Sequence, residues 1–178
     1  MHHAALNDDL EMGRALIEAG SDVHSVDGHG NTPLHNSCYH NCPKFAALLI
    51  SKGAEVNIHS KNLDSPLDYA CEAGHLEIIK LLIEAGADVN FCGENNWSPL
   101  HNAACISRKI AIEIVRLLLA SGANATAKSG NGQYASDVAE NATVKAILLE
   151  AMSHANAVQS ILSEPEKLTK TDSVSLLT

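Results

Sequence analysis

A register that returns every 33 residues constrains this chain more than any other feature. Met1, Leu34, Leu67 and Leu100 stand in that register, and each of the three leucines follows a proline. A glycine recurs at Gly20, Gly53, Gly86 and Gly122, the last step being three residues longer, and the runs SDVH, AEVN, ADVN and ANAT follow it. A period of this length means a solenoid, because a unit so small cannot bury both of its faces and must stack on copies of itself.

Residues 65–90 state the unit in full. Ser65-Pro66 suits a helix start, since the hydroxyl caps a free N–H and proline fits the first turn. A first helix is expected over Leu67 to Ala73, broken by Gly74. A second, Leu76 to Ala85, carries Ile78, Ile79, Leu81, Leu82 and Ile83 on a broad apolar stripe and stops at Gly86.

Thr32-Pro33-Leu34-His35, Ser98-Pro99-Leu100-His101, the Gly74-His75 turn and the Gly-Ala-Asp-Val-Asn run at 86 to 90 resemble the ankyrin repeat. The resemblance covers residues 1–149 in four to five repeats, with units near 1–26, 27–59, 60–92, 93–128 and 129–149. It implies an all-α solenoid of stacked helix-turn-helix units joined by β-hairpin-like loops, with 150–178 left as a C-terminal helix extension and tail. It implies no chemistry, since a fold hosts functions rather than being one.

The departures from the pattern are specific. Unit one begins in the middle of a repeat, which fits either a natural capping repeat or a fragment of a longer protein. In unit two, Gly28 and Gly30 permit a turn with positive φ, and Asn41 stands where unit three has Gly74. In unit three, Asp68 replaces the usual histidine and Leu63 the usual turn glycine. Unit four holds three extra residues within ACISRKIAIEIV, expected to lengthen the inter-helix turn or one helix end. Unit five is degraded, as a terminal repeat facing solvent should be. Beyond it, Val144, Ile147, Leu148, Ala151, Ala155, Val158, Ile161 and Leu162 extend the last helix or add another before Pro165.

The 46% hydrophobic and 3% aromatic composition describes a core of Leu, Ile, Val and Ala. A formal net charge of −9 without a Lys/Arg cluster argues against nucleic acid and for a neutral or basic protein partner. No secretory signal and no membrane-spanning run stand out, so the expectation is a cytoplasmic protein, with the nucleus as an alternative, monomeric by itself. The five cysteines form no disulfide framework; Cys38 and Cys71 share the register of Ala104 and read as reduced core residues.

Candidate chemistry is thin. Gly130-Asn131-Gly132-Gln133-Tyr134-Ala135 fits a dinucleotide fingerprint, but no apolar strand precedes it, so no cofactor is expected. His35, Cys38, His40 and Cys42 have the composition of a zinc site, yet His35 and Cys38 hold framework positions, so no metal is expected. No catalytic constellation can be singled out, and His75 and His101 sit where the family pattern places structural histidines.

What remains is surface. Carried over from the ankyrin pattern, the variable positions are Gly28, His29, Asn31, Tyr39 and His40 in unit two, and Lys61, Asn62, Asp64, Glu72 and Ala73 in unit three. Unit four contributes Glu94, Asn95, Trp97, Cys105 and Ile106, and unit five Asn131 and Gln133. Trp97, the single tryptophan, is the first choice of contact anchor and Tyr39 the second. Asn57 and Asn90 lie in runs resembling the substrates of asparaginyl hydroxylases. The resemblance implies a non-catalytic adaptor that binds a partner protein on its concave face; the alternative is a regulatory or targeting segment of a larger enzyme or channel.

Overall fold

Three first helices start on a hydroxyl and a proline, and each starts the same way. Thr32, Ser65 and Ser98 cap helices α3 (Pro33–Tyr39), α5 (Pro66–Ala73) and α7 (Pro99–Ala104), each in a reciprocal capping box with the residue three positions on. The computed structural model describes residues 1–163. Its other helices are α1 (His2–Leu6), α2 (Leu10–Glu18), α4 (Pro43–Ser51), α6 (Leu76–Glu84), α8 (Ile110–Ala120) and α9 (Ala142–Ser163), with a short 3-10 turn at Glu94–Asn96. The polar tail expected from Glu166 to Thr178 lies outside the described residues.

The helices form two layers. First helices pack on first helices, α1 on α3, α3 on α5 and α5 on α7, while α2, α4, α6 and α8 pack in the same succession and α9 closes the end against α8. Between the layers lie Leu34, Leu67 and Leu100 with Ile78, Ile79, Leu82, Ile114 and Leu118, all at most 1% exposed. Ala5, Cys38, Cys71 and Ala104 share one register and are each fully buried, small side chains in a close-packed interior.

Glycine serves two separate purposes. Gly86 takes φ +89°, letting its N–H reach the Ile83 carbonyl while the Ala87 N–H reaches that of Leu82, so the last turn of α6 is satisfied. Gly13 instead makes room: a Cβ there would lie 2.4 Å from Cε2 of Phe45, a ring with no exposed surface. Asn41 takes the left-handed cap at φ +57°, as its place opposite Gly74 requires, whereas of Gly28 and Gly30 only Gly30 has positive φ.

The extra residues of unit four sit between its helices. Two residues, Gly74 and His75, separate α5 from α6; five, Cys105 to Lys109, separate α7 from α8. The connecting loops are turns rather than laddered hairpins. Among the described residues one isolated bridge, Lys128 with Tyr134, is the only β pairing. No helix among them is long and apolar enough to cross a membrane.

Helix α9 is a single 22-residue element. Val144 and Leu148 are fully buried, whereas Val158, Ile161 and Leu162 are exposed.

Candidate interaction surface

Each connecting loop closes on itself through one N–H to the carbonyl four residues on: Asp27 to Asn31, Ser60 to Asp64, Gly93 to Trp97 and Ser129 to Gln133, at 2.9 to 3.0 Å. In three of these four, a histidine of the preceding unit donates to the same carbonyl. His2 Nε2 reaches Asn31 at 2.9 Å, His35 reaches Asp64 at 3.1 Å and His101 reaches Gln133 at 3.1 Å. With Nε2 donating, Nδ1 must accept, and it does, from the Thr32 N–H and hydroxyl at His35 and from the Ser98 hydroxyl at 2.7 Å at His101. Burial holds both imidazoles neutral, lowering His35 to about 4 and His101 below its ordinary value.

The junction between units three and four lacks that donor. Asp68 Oδ2 accepts the Ser65 N–H at 2.9 Å and the Ser65 hydroxyl at 2.7 Å, copying the accepting half of the histidine. As a carboxylate it has no proton for the Trp97 carbonyl; its Oδ1 takes the Asn102 amide at 3.3 Å instead. Burial raises Asp68 to about 6, against the opposing pull of the Ser65 hydrogen bonds.

A second link is missing at the same place. The Lys61 N–H donates to the His29 carbonyl and the Gly130 N–H to that of Asn95, but no backbone bond joins the loops of units three and four. Gly93 also has no side chain with which to brace its loop, where Asp27, Ser60 and Ser129 each accept a backbone N–H through a side-chain oxygen. The unit-four loop takes a 3-10 turn with Asn95 and Asn96 both left-handed.

A cleft of about 410 Å³ opens at this junction. Trp97, Glu72 and Asn102 line it, and the lengthened turn adds Cys105, Ile106, Ser107 and Arg108. The half-buried Trp97 ring lies over His101, centroids 5.0 Å apart and planes 38° from each other. Burial, and after it the charges of Glu72 and Glu94, raises Asp64, whose Oδ1 lies 3.3 Å from where a Cβ on Gly93 would stand. The Arg108 guanidinium is tied to the Ala73 carbonyl at 2.8 Å, the counterpart of His75 Nε2 on the Tyr39 carbonyl one unit earlier.

The remaining candidate residues divide by exposure. His29, His40, Lys61, Asn62, Glu94 and Asn95 are exposed, although the Lys61 ammonium is engaged by the Gly28 carbonyl at 2.9 Å. Tyr39, 50% exposed, meets the Tyr69 ring edge-on at 5.9 Å. Tyr69 in turn packs on His35 and donates its hydroxyl to Asn31 Oδ1. Tyr69 was not among the expected surface positions; its register, shared with Asn36 and Asn102, was the signal that it also faces this surface. Ile106 also lines the cleft but is only 7% exposed, with Cδ1 3.4 Å from where a Cβ on Gly74 would lie, so it presents little surface there.

Asn57 and Asn90 each bridge two units. Asn57 Nδ2 donates to the Gly86 carbonyl and its Oδ1 accepts from the Asp88 N–H; Asn90 does the same to Gly122 and Asn124. A hydroxylase acting on either must first draw these amides away. The Gly130 to Ala135 run lies in a connecting loop, its Gly130 N–H spent on Asn95. In the His/Cys run, His35, Cys38 and Cys42 are buried while His40 points into solvent, and no group of three His, Cys, Asp or Glu among the described residues could hold a metal ion.

A search of curated protein sequences returned no match. A family model described as ankyrin repeats (3 copies) matches residues 1–92 and again 59–129, well over half of the chain. With the two-layered stack, the capped Pro-Leu helix starts and the recurrent glycine stops, this match identifies the chain as a member of the ankyrin repeat family.

Proposed function

We propose that this chain is a non-catalytic protein-interaction module, an adaptor that holds a partner protein across its hairpin-and-first-helix face with Trp97 as the main anchor. Ankyrin repeats in general bind proteins, and one observation supports this assignment here. At the junction of units three and four the scaffold gives up two inter-unit links and presents a cleft with a half-buried tryptophan beside it. Large aromatic side chains in part-buried positions supply much of the binding energy at protein interfaces. Tyr39 and Tyr69 extend the aromatic surface into units two and three.

Affinity capture from the source cell with the native chain and with Trp97→Ala tests the reading. A partner recovered by the native chain should be lost with the variant while circular dichroism stays unchanged. Equal recovery of every partner by both proteins overturns the anchor assignment.

A further inference from the structure

The cleft at the junction of units three and four has a chemistry of its own. Trp97 contributes an aromatic surface, and aromatic faces attract cations through the ring quadrupole. The His101 ring packed on it is buried and shares its Nδ1 with Ser98, so it adds no positive charge to that stack. Glu72 lines the cleft and is exposed; Asp64 and Glu94 stand close enough that their carboxylates act on one another. Arg108 also lines the cleft and sets one positive charge against these three carboxylates; its guanidinium is held in place by the Ala73 carbonyl at 2.8 Å.

We infer that this cleft receives a lysine or arginine side chain from a segment of the partner protein, held between the Trp97 ring and the Glu72 carboxylate. The inference rests on the interaction-module reading and gives it a partner chemistry. Charge complementarity selects the occupant: an acidic segment meets Glu72 in the cleft with Asp64 and Glu94 near it, and a purely apolar one buries the Glu72 carboxylate without a counter-charge.

Because Trp97 is the only tryptophan, its fluorescence reports on the cleft alone. The native chain is titrated with a synthetic peptide of about a dozen residues in which lysine alternates with alanine and serine, and with the same peptide acetylated at every lysine. The lysine peptide should shift the emission saturably and the acetylated one should not. Glu72→Gln should weaken binding about fivefold, while Glu84→Gln, which removes the same charge from the exposed side of α6, should leave it unchanged. Absence of a shift overturns the inference, as does equal binding of the acetylated peptide. Equal losses in the two Gln variants also overturn it, since they would mean attraction to the net charge of −9 rather than to the cleft. If capture yields a Trp97-dependent partner while the lysine peptide gives no shift, this inference falls and the module reading stands. A specific lysine-peptide shift with no Trp97-dependent capture leaves the cleft chemistry standing and removes the anchor role.

Discussion

His35 donates from Nε2 to the Asp64 carbonyl across 3.1 Å, so the side chain of one unit closes the loop of the next. The bond recurs from His2 and from His101 and fails once, at Asp68, beneath the Trp97 loop.

Restoring the missing donor should stiffen the stack. Asp68→His supplies an Nε2–H for the Trp97 carbonyl and removes a buried carboxylate, and a stability gain of about 2 kcal/mol at pH 7 is expected. Chemical denaturation of native and variant protein checks it; a less stable variant would show that the Asn102 bond outweighs the clamp.

The pH dependence follows from two opposed groups. His35 falls from 6.5 to about 4 on folding, so its contribution is fully present above pH 6.5 and is lost as pH drops toward 4, about 3 kcal/mol in all. Asp68 rises from 3.8 to about 6, so its penalty is full above pH 6 and vanishes as pH drops below 3.8, again about 3 kcal/mol. The two nearly cancel between pH 6.5 and 4. Asp68→Asn removes the offset, so its Tm should fall more steeply with acidification than that of the native chain, and His35→Gln should show the reverse.

Leu63 occupies the turn position that Gly30 and Gly132 hold elsewhere, with φ +66° and a side chain 54% exposed. A left-handed leucine is strained, and at 54% exposure it gains little from burial. Leu63→Gly is expected to raise stability by about 1 kcal/mol, read from the denaturation midpoint.

Gly13→Ala should do the opposite despite alanine's better helix propensity. The new methyl meets the Phe45 ring, which is enclosed on all sides, and a loss of about 2 kcal/mol is expected. Gly28→Ala, where no atom lies within 4 Å and φ is ordinary, should change Tm little.

Much of the architecture was legible because it depends on local chemistry repeated in register. Thr32, Ser65 and Ser98 with their prolines give the helix starts, Gly86 and Asn41 the stops, and the 36-residue step the longer turn of unit four. The surface was less legible because it depends on which way a side chain turns once that register slips. In unit four α7 ends at Ala104, two residues before the place equivalent to Ala73, and Ile106 lies mostly buried beside Gly74 at the cleft. The replacement of histidine by Asp68 was plain in the sequence, but its effect was not. That requires knowing that the usual imidazole accepts on one side and donates on the other, and that a carboxylate does only the first.

The histidine clamp grips a main-chain oxygen, an atom that all twenty amino acids supply alike. Asn31, Asp64 and Gln133, the residues it grips, occupy equivalent places and share little but that oxygen. The joint therefore carries no vocabulary of its own: the letter written at each of these places can be changed while the hinge beneath it is left as it was.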